Sequence, residues 1–124
     1  SDMLPCTRLI LIACDAAKNG VARISGVEAP KFDDTESTLP QLKERIRKTL
    51  DYLATVPASA LDGTEDKDIT FPVGRDKTRT MKAEAYLKHW MLPNFYFHVT
   101  TAYAILRHNG VELGKSDYLV GSQA

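Results

Sequence analysis

The sequence is poor in the residues and motifs that usually declare a chemistry. It has no CxxC pair, no HExxH, no glycine-rich phosphate loop and no G-x-S-x-G elbow, so the common redox, zincin, nucleotide-binding and serine-hydrolase readings have nothing to stand on. It has two cysteines, Cys6 and Cys14, set eight positions apart on one expected helix. At ~1.5 Å of rise per residue they are too distant for a disulfide, and free thiols point to a reducing cytoplasm. It lacks a charge excess: sixteen basic residues face sixteen acidic ones, which argues against a nucleic-acid partner. It lacks an apolar run long enough for a bilayer and a recognisable leader, so no membrane role is expected. No repeat or low-complexity segment is present.

What is there is ordinary for a soluble globular protein: 44% hydrophobic and 26% charged over 124 residues. That is enough for one domain, residues 1–124, with one core. Leu4 to Ile24 reads as a helix, with Leu9, Ile10, Ala13, Ala17, Val21 and Ile24 at helical spacing. Asp2 is a candidate cap, Pro5 suits the first turn and Gly26 ends the segment. Asn19-Gly20 weakens this helix by roughly 1 kcal/mol against alanine. Val27 to Ser37 reads as a loop, with Phe32 placed to plug a bundle end.

Thr38 to Val56 is a second helix. Thr38 and Gln41 form a capping-box pattern, and Pro57 stops the segment. Leu42, Ile46, Leu50 and Leu53, with Thr49, make its expected buried stripe; Lys43, Glu44, Arg45, Arg47, Lys48 and Asp51 make its wet face. Ile69–Phe71 and Thr78–Met81, either side of Val73–Asp76, predict a small hairpin. Lys82 to Met91 is a helical piece with Ala85, Tyr86, Trp90 and His89 turned inward.

Leu92 to Gly110 is an apolar helix with His98 in its middle, and its apolar circumference suggests a central place. Pro93 either marks a bend at Leu92-Pro93, the reading favoured here, or kinks a longer helix starting near Ala83. The tail after Gly110 reads as irregular.

The candidate site residues are the inward or junctional polar groups Asp15, His89, Asn94, His98 and Tyr103, with Trp90 as a pocket wall. His98 is either a metal ligand or a histidine hydrogen-bonded within a crowded interior; a metal site needs about three protein ligands. Asp15 is either a carboxylate ligand, a partner for His98, or an edge residue paired with Lys18. His89 and His98 would point different ways on a straight helix. The aromatic residues Trp90, Phe95, Tyr96, Phe97 and Tyr103 wall a pocket or simply pack a core.

The stretches PCTRLILIACDAAKNGVARISGVEAPKFDDTE, LPNFYFH and HVTTAYAILRHNGVELG resemble an uncharacterised family of small proteins similar to the DinB-like (YfiT-like) four-helix bundles. The resemblance covers almost the whole chain. It implies an all-α up-down-down-up bundle, here with a small β-hairpin insertion, often dimeric. In that superfamily three histidines from two helices bind a divalent metal, commonly zinc or nickel, and some members are thiol-dependent transferases or isomerases.

Carried over residue by residue, His98 matches the second histidine of the last core helix, while Asn94 stands where the first belongs. The segment Cys14-Asp15-Ala16 offers no histidine for the third. The resemblance therefore implies a metal site that is either lost or rebuilt with ligands such as Asp15. The family also begins with a further amphipathic helix, which this chain is expected to lack, leaving an apolar groove and a tendency to form a homo-oligomer. The expected function is a small-molecule-binding or interaction module with a degenerate metal site. The alternative is a divalent-metal-dependent enzyme of the thiol transferase or isomerase kind.

Overall fold

The computed structural model describes residues 3–121. Helix α1 spans Met3–Ser25 and α2 spans Leu39–Thr55. A hairpin follows, of β1 (Asp68–Pro72) and β2 (Thr78–Lys82), antiparallel, with Ile69 opposite Met81 and Phe71 opposite Arg79. Then come α3 (Ala83–Tyr86), a π-helical turn (Leu87–Met91), α4 (Leu92–His108) and a short α5 (Lys115–Val120). The predominantly helical class and the small hairpin are as the sequence implies. The Asp2 cap proposed for α1 lies outside the described residues, as do 122–124.

Local chemistry sets the element ends. Thr38 Oγ1 accepts from the Gln41 amide at 3.3 Å and Gln41 Oε1 accepts from the Thr38 amide at 3.1 Å, so the capping box is closed. Gly110 stands at φ +92 just past α4, a conformation that disfavours any side chain.

Three expectations need correction here. The helix is not two pieces divided at Leu92-Pro93: it runs on from Ala83 to His108, the alternative the sequence also allowed, with the widened π turn just before Pro93. Proline has no N–H, and its ring crowds the carbonyl four residues back, here His89; a locally wider turn relieves that crowding. The tail is not wholly irregular either. The Asp117 carboxylate accepts the Gly114 amide at 2.7 Å and opens α5, and Tyr118 returns onto α4, its hydroxyl 3.0 Å from Thr100 Oγ1.

Nor is α4 central. Of its residues only Ala102 is buried, while Phe97 is 64% exposed. The dense core sits at the hairpin end instead, where Ile24, Ile69, Phe71, Ala83, Tyr86 and Met91 pack together.

α1 is the shared partner of the long helices. α2 and α4 both pack along it and hardly touch one another. Where α1 approaches the π turn, Gly20 allows the contact: a Cβ there would lie 2.5 Å from Met91 Sδ and 2.7 Å from its Cγ. The glycine that weakens the helix by propensity thus gives the Met91 side chain room to pack against α1. Gly20→Ala should lower stability by about 1–2 kcal/mol, since overpacking outweighs the gain in helix propensity. In a Met91→Ala background the same change should become neutral or stabilising. Urea titrations of the four proteins check this, and an unaltered cost in that background would refute the contact as the cause.

Candidate functional site

The open angle between α2 and α4, floored by α1, is an apolar groove of about 460 Å³. Ile46, Thr49, Leu50 and Leu53 face it from α2; Phe95, His98, Val99, Ala102, Tyr103 and Leu106 face it from α4; Cys14 lies on its floor. The expected buried stripe of α2 is therefore only partly covered: Leu42 and Thr49 are buried, but Ile46 is 39% and Leu50 59% exposed. They line the groove, whose far end is bordered by Asp117 and Tyr118 of α5.

On the other side of the α1–α4 seam is a smaller polar recess of about 180 Å³, with Asp15, Asn19, Arg23, Trp90, Asn94 and His98 among its walls. His98 lines both cavities. Its ring meets Phe97 edge-on, with centroids 5.3 Å apart, and its Nδ1 is buried with no hydrogen-bond partner. A buried polar atom left unpaired costs about 1–3 kcal/mol, so such an atom marks a place where a partner is wanted.

The other candidates separate. Asn94 lines the recess and donates through Nδ2 to the Trp90 carbonyl at 2.8 Å, a bond across one turn. Trp90 belongs to the recess and also packs on Phe71, with ring centroids 4.9 Å apart. Tyr103 belongs to the groove and meets Tyr118 edge-on at 5.7 Å. His89, expected inward, is exposed and lines neither cavity, because the π turn carries it to the outer face. Asp15 shares the recess with His98, but its Oδ1 accepts from Arg45 Nη2 at 3.0 Å and lies 3.6 Å from Lys18 Nζ.

Arg45 is the residue that sequence reasoning misplaced. Assigned to the wet face of α2, it is 2% exposed. Its guanidinium also donates to Asp34 Oδ1 at 3.1 Å, Glu36 Oε1 at 3.0 Å and the Asp33 carbonyl at 3.3 Å. Burial opposes its charge, but the hydrogen bonds it donates to Glu36, Asp15 and Asp34 outweigh that and hold it above the ordinary arginine range. The acidic run Asp33-Asp34…Glu36 in the preceding loop supplies its partners, but such a run can equally stay hydrated, so it did not by itself mark Arg45 as buried. Phe32 does plug this end: Lys18 Nζ lies 4.6 Å, and the Arg45 guanidinium carbon 5.1 Å, from its ring centre.

Cys6 and Cys14 are both free and buried. Burial pushes the Cys14 thiol up from its ordinary value, against a hydrogen bond with Thr49 and the charge of Arg45, which lower it. A thiol so placed is a poor nucleophile at neutral pH.

The residues present do not make the divalent site that the resemblance implies. Among the described residues no group of three or more His, Cys, Asp or Glu side chains is arranged to hold a metal ion. His98 is one donor, Asp15 is engaged by two cations, and Asn94 stands in place of a histidine. Among the described residues no helix is long and apolar enough to cross a membrane.

Comparison with known proteins agrees with the fold. No curated protein matches the chain. A crystal structure of a DinB family member protein from Shewanella denitrificans is 44% identical, with a TM-score of 0.83, and the match covers 92% of this chain. The chain spans 64% of that protein's length. A family model described as a domain of unknown function, DUF1993, matches residues 1–119. The chain therefore belongs to the DUF1993 family, an uncharacterised family with a DinB-like fold.

Proposed function

We propose that this chain is a binding module for a small, largely apolar molecule, seated in the groove between α2 and α4 and read by one polar contact to His98. The observation that carries the reading is the unpaired, buried Nδ1 of His98 beside an apolar groove of about 460 Å³. A volume in that range suits a small organic ligand, and an apolar wall with few polar groups is the usual make-up of such a site. An imidazole nitrogen without a protein partner supplies orientation and selectivity, since a ligand lacking the matching group leaves it unpaired. The exposed apolar side chains Leu50, Phe97 and Leu119 make self-association a companion property of the same module.

A titration with the neutral dye N-phenyl-1-naphthylamine tests this. Saturable binding near one dye per chain is expected. It should weaken about tenfold or more, about 1.4 kcal/mol, in Leu50→Asp, which puts a charge on the groove wall without disturbing a buried residue. The same samples in sedimentation equilibrium report whether dye binding and self-association compete. Binding that is unsaturable, or indifferent to Leu50→Asp, would remove the proposal.

A further inference from the structure

The polar recess holds three side chains whose chemistry suits a metal ion, Asp15, Asn94 and His98, on facing helices α1 and α4. A fourth group decides what they can do. Arg45, on α2, meets Asp15 at the edge of the recess and uses two nitrogens for four contacts: Nη2 serves Asp15 and Asp34, and Nη1 serves Glu36 and the Asp33 carbonyl. Its side chain is 1% exposed. Lys18 adds a second cation near the same Asp15 oxygen, and its own Nζ is tied to the Pro30 carbonyl at 2.7 Å. Three carboxylates drawn from α1 and from the loop between α1 and α2 thus converge on one guanidinium.

We infer that Arg45 is the resident cation of this site: its guanidinium takes the carboxylate that a divalent ion beside His98 would need, and leaves the Asp15–Asn94–His98 recess a metal-free hydrogen-bonding site. Two physical reasons support it. Both cations sit on the same oxygen, Asp15 Oδ1, so the negative charge that would draw a divalent ion to this carboxylate is already offset. A divalent ion placed between His98 and Asp15 would also meet the fixed positive charge of Arg45 in a region of low dielectric, where like charges repel strongly. The guanidinium does further work that a bare ion in the recess could not do, because its fork also ties the 26–38 loop to both helices. The inference is independent of whether the apolar groove takes a ligand.

Equilibrium dialysis against zinc chloride, with protein purified without an affinity tag and stripped by chelator, provides the test. Wild type should retain no stoichiometric zinc. Asn94→His, which puts two histidines four residues apart on α4, should bind weakly. Adding Arg45→Met to Asn94→His frees Asp15 and should tighten binding at least tenfold, with Asp15→Asn reversing the gain. Wild type holding one equivalent that Asp15→Asn abolishes would overturn the inference, as would equal affinity with and without Arg45. Should the Arg45→Met proteins fail to fold, wild type answers alone by NMR. The Arg45 guanidinium resonances should stay unchanged as zinc chloride is titrated to several equivalents, and their shift or loss at one equivalent would overturn the inference equally.

Discussion

Arg45→Met should cost the fold about 3–5 kcal/mol, the expected penalty for removing one partner from a buried ionic cluster. Methionine keeps much of the stem volume, so the loss reports the charge and its hydrogen bonds rather than a cavity. Asp34, whose side chain is 64% exposed, can rehydrate when the guanidinium is gone. Glu36, at 13%, cannot do so without moving the loop, and its Oε2 is already buried without a partner. Asp15 keeps only Lys18, at 3.6 Å. Urea denaturation followed by circular dichroism measures the change. A loss under 1 kcal/mol would show that the cluster is dispensable and that the loop is held by other contacts, of which the 2.7 Å bond from Tyr52 to the Val27 carbonyl is the first to examine.

Phe71→Ala should be about as damaging, again about 3–5 kcal/mol, for a different reason. Phe71 is 1% exposed, and its ring lies 4.7 Å from that of Tyr86 and 4.9 Å from that of Trp90, centre to centre. It is the plug by which the hairpin docks on α3 and the π turn. Removing it opens a cavity and strips partners from the densest part of the molecule, where Ile24, Ile69 and Met91 also meet. The chain contains one tryptophan, so Trp90 fluorescence reports the site directly. A red-shifted emission in the native state and a large fall in the urea midpoint are expected together. Unchanged fluorescence with a loss below about 1.5 kcal/mol would mean that the pocket closes over the gap. Dye binding in the α2–α4 groove should survive, because Phe71 is not among the groove's walls.

The two variants probe features of unequal legibility. Phe71 could be read in advance as part of a short alternating strand, and its burial follows from the β pattern once the hairpin has a helix to pack on. Arg45 could not. On a helical wheel it belongs with Leu42 and Thr49, the buried residues of α2, yet its charge argues for water. Only the carboxylates brought in from positions 15, 34 and 36 make burial tolerable. The same holds for the candidate site. The position of His98 on an apolar helix was legible, and so was the absence of a complete histidine set. That Asp15 turns to Arg45 rather than to His98, and that His98 stands between a groove and a recess, depends on how α1, α2 and α4 are placed around each other.

The linear chain by itself determined the extents of α1 and α2, where the hairpin turns and which family the protein resembles. Those features depend on capping residues, on proline and glycine and on apolar spacing, all of which act within a few positions. Only the tertiary structure decided which apolar faces are covered, what Gly20 makes room for, and which charges are pooled. Burial and ion pairing are settled by neighbours far apart in sequence: Asp15 and Arg45 lie thirty positions apart and Arg23 and Tyr86 sixty-three, and the energy of each pair depends on the low-dielectric surroundings that all the elements create together.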